Sequence, residues 1–288
     1  MSVEGYIGLD YAKNYILPRK DDAHKGDCGR VLIVAGSYGM AGAAVLCTRA
    51  ALRTGAGLVT AAVPDRLFDI LQISVPEAMC VERESLFHEG ALAKYDAIAI
   101  GPGLGVSREN FELITGIIEN SRCQMVIDAD GLNTLCRYDE NFEKVRRAGE
   151  RIVLTPHPGE AGRILACAGE GPVSEMGREQ AVRRLADFTG ATVLLKGKDT
   201  LVTQQGDGIS CNTTGNPGMA TGGSGDVLTG VIAALLANGW NTGVAARTGA
   251  YVHGKAGDLA SERTGEWGMT AMDIAECLPA VLKYISGR

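Results

Sequence analysis

Apolar runs alternate with helical patterns along most of the chain. Residues 31–35 are continuously apolar and end at Gly36, which is typical of a strand that is buried on both faces of a parallel sheet. The same pattern predicts strands at 58–63, 96–100, 125–127, 151–154 and 193–195. Alanine-rich or periodic segments predict helices at 41–53, 109–118, 175–188, 227–238, 243–262 and 270–285. This alternation predicts an α/β fold in which a mostly parallel central sheet carries helices on both faces, in a single domain.

The segment that precedes this alternation has a different pattern. Residues 1–24 are expected to be an N-terminal extension, ahead of a domain that spans residues 25–288. Two short apolar patches at 7–10 and 15–18 are expected to lie against the main body or against a partner subunit. The extension contains no apolar core of a signal peptide, so we expect no secretion signal.

Charge and hydropathy narrow the class of protein. The net charge is −6, whereas nucleic-acid and anionic-membrane proteins need a basic surface. The longest apolar stretches, such as 231–236, are far shorter than the roughly 18 residues that span a bilayer. The eight cysteines form no C-x-x-C pair and have no histidine at zinc-ligand spacing. We therefore expect a cytoplasmic protein with reduced thiols that binds neither nucleic acid nor membrane.

Polar and glycine-rich residues follow the predicted strands. They occupy positions 36–37, 101–105, 128–130, 155–157 and 196–198. In open parallel sheets, ligands bind at the carboxyl ends of the strands. The sequence therefore predicts an active site at this edge of the sheet.

A glycine-rich segment at 216–226 leads directly into the helix predicted at 227–238. Four glycines fall within residues 218–225, so several backbone N–H groups can face one point, where the helix dipole also acts. We predict a phosphoryl anion hole at Gly222, Gly223, Ser224 and Gly225. Asp226 lies at its mouth, where a carboxylate can take a proton from a hydroxyl group. A simple N-cap role would explain Asp226 but not the glycines.

Other strand ends allow two interpretations each. Lys196 to Thr200 would hold a nucleotide phosphate or ribose, or would form an exposed hairpin turn. His157 lies near a predicted helix start on the ligand edge, or is a capping or core histidine. Asp128 and Asp130 would bind Mg²⁺ through water, or would cap the next helix.

Two common nucleotide motifs are missing or incomplete. The chain contains no Gly-Lys-Ser/Thr sequence of a Walker A loop. Residues 101–105 have G-x-G-x-G spacing but lack the acidic residue of a dinucleotide fingerprint, and a tight turn explains them as well. The other histidines, among them His253, suggest no function from sequence.

Taken in order, these segments resemble one family. Residues 26–30, 35–44, 101–105, 128–133, 154–160, 195–197 and 216–226, and also 251–258, are similar to segments of the NAD(P)H-hydrate dehydratases. The resemblance runs from about residue 25 to the C-terminus. The usual Gly-Thr-Gly-Asp is Gly-Ser-Gly-Asp at 223–226 here, which keeps the hydroxyl.

The resemblance implies a ribokinase-like fold and a hydro-lyase that restores NAD(P)H from its hydrate with ADP or ATP as co-substrate, with Mg²⁺ expected. It implies a homo-oligomer, namely a tetramer. It also implies a functional link to a separate NAD(P)H-hydrate epimerase, because 24 residues are too few for an epimerase domain. The implied nucleotide contacts are Lys196, Gly197, Lys198, Asp199, Thr200 and Gly225. The implied contacts to NAD(P)H hydrate are Ala41, Gly103, His157 and Asp226, with Asp226 as the catalytic base.

Two rival functions use the same features. A small-molecule kinase for a thiazole or pyrimidine alcohol would need the same anion hole and the same aspartate. A non-catalytic nucleotide sensor would tolerate loss of Asp226. The sequence leaves open whether ADP or ATP is used, and whether the hydrate is that of NADH or of NADPH.

Overall fold

The computed structural model describes residues 3–139 and 142–288. Their strands are β1 (Gly5–Tyr6), β2 (Arg30–Val34), β3 (Leu58–Ala62), β4 (Met79–Val81), β5 (Ala97–Ile100), β6 (Gln124–Ile127), β7 (Ile152–Leu154), β8 (Thr192–Leu195), β9 (Thr200–Thr203) and β10 (Ser210–Asn212). Their α-helices are α1 (Leu9–Lys13), α2 (Ala41–Thr54), α3 (Phe68–Ser74), α4 (Arg108–Asn120), α5 (Asp130–Tyr138), α6 (Glu143–Ala148), α7 (Pro158–Cys167), α8 (Val173–Met176), α9 (Arg178–Thr189), α10 (Ser224–Ala237), α11 (Thr242–Thr264) and α12 (Ala271–Ser286).

These strands form one sheet in the order β1-β10-β9-β8-β7-β6-β5-β2-β3-β4. β9 is antiparallel to β8 and to β10, and the other recorded pairs are parallel. The carboxyl ends of β2, β5, β6, β7 and β8 therefore meet at one edge. The mostly parallel sheet predicted from the sequence is confirmed.

Both faces of the sheet are covered, which explains its continuously apolar strands. Along β2, Val31 and Ile33 pack into one core, whereas Leu32 and Val34 pack into the other. The first core lies under α1–α3 and α10–α12, and the second lies under α4–α9. A strand that must be apolar on both sides cannot show the polar–apolar alternation of a half-exposed strand.

Helix α10 is more deeply placed than its sequence pattern predicts. The spacing of Val227, Val231 and Leu235 indicates one apolar face, yet every residue from Val227 to Ala237 is buried. The helix packs against α2 and α11 and also contacts β5 and β6. It is therefore a central helix without a solvent face, which is typical of a segment that is apolar on all sides.

The helix predicted at 175–188 divides into two. α8 ends at Met176, and α9 begins at Arg178 after Gly177, whose φ is +84°. Such a φ is incompatible with a continuous right-handed helix. The break places Arg178 in the first turn of α9.

The N-terminal segment packs onto the chain's own body. β1 pairs in parallel with β10 at the edge of the sheet, and α1 contacts α11. Ile7 and Ile16 are buried in the first core, whereas Leu17 is exposed. The two apolar patches thus lie largely against the main body. Among helices of the described residues, none combines the length and apolarity needed to cross a bilayer.

Candidate active site

Two loops approach each other closely at the carboxyl ends of β2 and β5. The N–H of Gly36 donates to the carbonyl of Pro102 (2.8 Å). A Cβ built on Gly103 would lie 2.8 Å from the Cβ of Ala43 and 3.0 Å from the Cβ of Met40. Since Gly103 also has φ +60°, only glycine fits there without a shift. The structure thereby brings Gly103 next to the first turn of α2, where Ala41 lies.

Gly101 makes a second close approach. Its φ is +124°, and a built Cβ would lie 1.9 Å from the carbonyl oxygen of Asp128. Glycine is therefore required where the β5 loop crosses the end of β6. This contact fixes the position of the β5 loop against the backbone of Asp128, at the carboxyl edge of the sheet.

The glycine-rich segment ends at the beginning of α10. Gly223 is the N-cap with φ +91°, and Ser224 is the first helical residue. Asp226 therefore lies in the first turn and is not the N-cap, so the capping interpretation is wrong. The first N–H groups of a helix have no acceptor within that helix. The N–H of Ser224 donates to the carbonyl of Thr221 (3.4 Å), and the N–H groups that follow it in the first turn are suited to an anion.

A buried group of charged side chains lies beside this turn. Lys196 Nζ is 2.7 Å from Asp128 Oδ1 and 3.7 Å from Glu160 Oε2. Thr229 Oγ1 of α10 donates to Asp128 Oδ2 (2.8 Å). A Cβ built on Gly225 would lie 3.4 Å from Lys196 Nζ, so this ammonium group lies at the start of α10. We call Asp128, Glu160, Lys196 and Asp226 the charged cluster.

Asp226 is tuned for proton transfer. Burial and the nearby charges of Asp128 and Asp130 raise its pKa, Lys196 opposes them, and the net pKa is about 7. A base whose pKa lies near neutral pH takes and returns protons efficiently. The site therefore holds a carboxylate that can accept a proton at neutral pH.

Lys196 stays charged within this cluster. Burial lowers the pKa of its ammonium group, but Asp128 and Glu160 raise it by more, so the net pKa lies above its ordinary value. Its side chain is only 20% exposed and its charge is shared between two carboxylates. A buried lysine is tolerated when it is paired in this way.

The capping role considered for Asp128 from sequence does not match its contacts, whereas its Mg²⁺ role stays a prediction. Both of its carboxylate oxygens are engaged, by Lys196 and by Thr229, and Ala129 is the N-cap of α5. Asp130 Oδ2 accepts from the N–H of Gly105 (2.8 Å) and so ties the β5 loop to α5. Among residues 3–139 and 142–288, no three His, Cys, Asp or Glu side chains are grouped to hold a metal ion.

His157 caps α7. Its Nδ1 accepts from the N–H groups of Gly159 (3.0 Å) and Glu160 (3.4 Å), and Glu160 Oε2 accepts from the N–H of His157 (2.8 Å). Pro158 occupies the first helical position, as its fixed φ favours. This reciprocal capping fixes Glu160 in the charged cluster. Half of the His157 side chain remains exposed at the same edge.

Residues 196–199 form the turn between β8 and β9, and Thr200 begins β9, so the hairpin interpretation is confirmed. The turn lies at the carboxyl edge, and Lys196 extends from it into the charged cluster. A hairpin turn in this position is compatible with a nucleotide contact. Asp199 has φ +55°, an uncommon conformation for a residue with a side chain.

Sequence reasoning missed three residues of this site. His253 is buried on α11 with its Nε2 3.5 Å from Ser224 Oγ, and burial lowers its pKa to about 4, so it is neutral. Asp258 accepts from the N–H of Gly215 (3.1 Å) and so anchors the glycine-rich segment. Thr229 fixes Asp128. His253 and Asp258 lie within residues 251–258, which resemble the family, but no role was predicted for either, and nothing local indicated Thr229.

The fold and this site define a protein of the ribokinase-like class. A glycine-rich segment that ends in a buried helix, with an aspartate in its first turn, faces the carboxyl ends of a mostly parallel sheet. The structure matches the Bacillus subtilis ADP/ATP-dependent NAD(P)H-hydrate dehydratase co-crystallised with ATP and Mg²⁺, with a TM-score of 0.85 and 26% identity over 99% of both chains.

The chain belongs to the NAD(P)H-hydrate dehydratase family, whose sequence profile matches residues 31–280. It is 39% identical over 260 residues to the ADP-dependent (S)-NAD(P)H-hydrate dehydratase of Neisseria meningitidis, covering 89% of this chain and 86% of that one. It is 41% identical over 281 residues to the bifunctional NAD(P)H-hydrate repair enzyme Nnr of Moorella thermoacetica, covering 93% and 52%. The chain spans about half the length of several curated relatives it matches.

These similarities do not favour the kinase alternative. The hydroxyethylthiazole kinase of Pyrococcus horikoshii has a TM-score of 0.65 but only 17% identity, which shows a shared fold alone.

Proposed function

We propose that the protein dehydrates (S)-NAD(P)H hydrate to NAD(P)H, with ADP or ATP as phosphoryl donor. The observation that carries the proposal is Asp226, with a pKa of about 7, in the first turn of α10 beside Lys196. An anion-binding turn and a neutral-range base together suit transfer of a phosphoryl group to a hydroxyl. The relatives named as NAD(P)H-hydrate dehydratases supply the identity of that hydroxyl.

The nucleotide would approach from the β8–β9 turn. We infer that Lys196, Gly197, Lys198, Asp199 and Thr200, together with Gly225, contact it. Its terminal phosphate would then lie against Gly222, Gly223, Ser224 and Gly225, the anion hole.

The hydrate would occupy the neighbouring loops. Ala41 and Gly103 lie at the ends of β2 and β5, and we infer that they line its pocket with His157 and Asp226. In this arrangement the ring hydroxyl meets Asp226 on one side and the terminal phosphate on the other.

The reaction then has two stages. Asp226 takes the proton of the ring hydroxyl as its oxygen forms a bond to the terminal phosphorus, and the bond from that phosphorus to the departing nucleotide breaks. AMP leaves when ADP is the donor, and ADP leaves when ATP is. The carbon–oxygen bond next breaks and releases phosphate, and the neighbouring ring carbon loses a proton, which restores the C=C bond. The anion hole stabilises charge on the moving phosphoryl group.

We propose that Mg²⁺ enters with the nucleotide. In the part of the chain that the structure describes, no three His, Cys, Asp or Glu side chains are grouped to hold a metal ion by themselves. Mg²⁺ commonly binds substrate phosphates and keeps several waters, and so needs few protein ligands. Its chemistry here would be to neutralise phosphate charge. Chelation with EDTA should stop turnover, and added Mg²⁺ should restore it.

The direct test of the proposed function is a spectrophotometric assay on purified (S)-NADHX and (S)-NADPHX. With ADP or ATP present, absorbance at the NADH wavelength should return, and with both omitted it should not. Incubation with ATP and thiazole or pyrimidine alcohols is the second arm. A stable phosphate ester there, with no recovery of NADH from the hydrate, would establish the kinase instead.

The proposal also covers the oligomeric state of the protein, its location and its functional partner. We propose a homotetramer in the cytoplasm and a functional link to an NAD(P)H-hydrate epimerase, since several relatives are bifunctional repair enzymes. We also propose that residues 25–288 are the dehydratase domain and that the segment before residue 25 is an extension. Light scattering on the purified protein checks the tetramer.

A further inference from the structure

A single guanidinium group lies inside the β8–β9 turn. Arg178, the first residue of α9, donates from Nη1 to the carbonyl of Lys198. Its Nη2 lies 3.3 Å from the carbonyl oxygen of Leu195 and 3.4 Å from that of Lys196, and donates to both. Three carbonyl groups of one turn therefore converge on one cation that comes from a different element.

The backbone of the turn is shaped to this guanidinium. A Cβ built on Gly197 would lie 3.2 Å from Nη2 and 3.5 Å from Cζ of Arg178, and Gly197 has φ +137°. Asp199 has φ +55°. Gly197 adopts its φ without strain because it has no Cβ, whereas Asp199 lies outside the conformations that ordinary side chains prefer and is held there by contacts from elsewhere.

These contacts also orient the N–H groups of the turn. In a trans peptide the N–H points opposite to the carbonyl. Because the carbonyls of Lys196 and Lys198 point to Arg178, the N–H groups of Gly197 and Asp199 point away from it. The N–H of Lys196 is used differently, since it donates to the carbonyl of Pro156 (2.9 Å). Two donors of the turn are thus aimed away from α9 by one side chain.

We propose that Arg178 is a positioning residue that holds Lys196 to Thr200 in the shape that binds the nucleotide. This inference rests on the proposed function, which places the nucleotide at this turn. Arg178 acts through the backbone of the turn and does not contact the reacting atoms. Its loss should therefore weaken nucleotide binding and leave the hydrate site unchanged.

Substitutions at Arg178 distinguish a role of its charge from a role of its hydrogen-bonding geometry. The planar fork of arginine offers five donors at fixed angles, whereas lysine offers a compact charge that cannot span three carbonyls. If Arg178 only attracted phosphate by its charge, Arg178→Lys would bind ADP as tightly as the wild type does. If Arg178 shapes the turn, Arg178→Lys should bind ADP more weakly than the wild type, and Arg178→Met more weakly still.

The experiment measures ADP binding by titration calorimetry and steady-state kinetics on the full chain. In Arg178→Met, the Kd and KM for ADP should rise about tenfold to a hundredfold, by analogy with the loss of partners that orient metal ligands. The KM for (S)-NADHX and the kcat at saturating ADP should stay within about twofold. Arg147→Met is the control, because Arg147 is an exposed arginine that pairs with Glu143 on the same helix. It should leave all four values unchanged.

Gly197→Ala is the second variant, and it leaves Arg178 in place. Its Cβ would press on the guanidinium, so it should raise the KM for ADP as Arg178→Met does. If Arg178→Met does not fold, Arg178→Lys decides the matter. Failure of the wild-type protein to bind either ADP or ATP would overturn the proposed function itself. Normal ADP binding in the Arg178 and Gly197 variants, beside a wild type that binds ADP, would overturn only the role of Arg178.

Discussion

At the scale of single residues, the environment of Asp226 makes its ionised form less stable and raises its pKa into the range useful for a base. A carboxylate in a first helical turn is ordinarily stabilised by the helix dipole. Here burial, with Asp128 and Asp130 nearby, outweighs that effect and raises the pKa of Asp226 to about 7. Residues with strongly shifted pKa values in a cleft are often functional.

Replacing Asp226 with asparagine should abolish most of the activity. The variant keeps the size of the side chain but cannot take a proton, so turnover should fall about 10²- to 10⁴-fold. Recovery of NADH absorbance from (S)-NADHX with ADP measures this loss. Unchanged ADP binding in the variant serves as the control, and normal turnover would refute Asp226 as the base.

The same variant should be more stable than the wild type above pH 7. The pKa of Asp226 is higher in the folded chain, about 7, than its ordinary value of 3.8, so its ionisation destabilises the fold as pH rises between these values. Because the side chain is only partly buried, we expect a gain on the order of 1–2 kcal/mol for Asp226→Asn at pH 8. The gain should vanish near pH 4. Urea unfolding at both pH values measures it, and a wild type that is the more stable at pH 8 would contradict the assignment.

The pH dependence of the wild type should follow Asp226. Activity needs the ionised form, so kcat/KM should fall as pH drops below about 7. Asp128→Asn removes a charge that raises this pKa and leaves Lys196 to act on Asp226, so the acidic limb should move down by about one unit. Glu112→Gln, an exposed change on α4, is the control and should not move it. An acidic limb that stays in place in Asp128→Asn would show that the charge of Asp128 does not raise the pKa of Asp226.

Residue identities could be proposed from sequence only where the local motif was strong. Asp226 follows four glycines and precedes an apolar helix, so its place at an anion hole needed no tertiary information. Asp128 and Lys196 are 68 residues apart, and Asp128 and Thr229 are 101 residues apart. Nothing local to any of them signals these pairs, because the order of strands in the sheet creates the contacts.

At the scale of elements, helix stability and space for a ligand favour different residues at the start of α10. Glycine at 225 is unfavourable in a helix, by about 0.5–1 kcal/mol relative to alanine. A Cβ there would lie 3.4 Å from Lys196 Nζ and 3.5 Å from Asp128 Oδ2, at the entrance to the anion hole. Gly225 therefore keeps space at the site at a cost to the helix.

Gly225→Ala should accordingly preserve stability and reduce activity. We expect the free energy of unfolding to stay equal or to rise, and kcat/KM to fall at least about tenfold. Gly162→Ala on α7 is the matched control, because a Cβ there would have no heavy atom within 4 Å. That control should gain similar stability with unchanged activity. Full activity in Gly225→Ala would show that the space beside Lys196 is not used.

The sequence predicted the central strands well, but it did not predict how deeply α10 is buried or where the short edge strands lie. The apolar runs predicted the central strands to within a residue or two, because burial on both faces leaves a continuous pattern. The single face assigned to α10 was wrong, since alanine and glycine between its larger residues are compatible with burial on every side. The short strands β1, β4 and β10 have too few residues for a detectable period.

At the scale of the whole molecule, ligand binding should stabilise the fold. A ligand that binds only the folded chain adds stability that grows with its concentration above Kd. Thermal melts in ADP with Mg²⁺ should therefore show a Tm that rises with nucleotide concentration, by about 2–4 °C for each kcal/mol in a domain of this size. Arg178→Met should need more ADP for the same shift. A Tm of the wild type that is independent of both ADP and ATP would contradict a nucleotide site.

The most direct test of the account follows the oxygen of the substrate. (S)-NADHX labelled with ¹⁸O in its ring hydroxyl is converted with ADP, and the released phosphate is analysed by mass spectrometry. If Asp226 frees that oxygen to attack the terminal phosphorus, the phosphate carries one ¹⁸O atom and the nucleotide product carries none. Label that appears in water, with unlabelled phosphate, would show that the hydroxyl leaves without phosphoryl transfer and would contradict the mechanism.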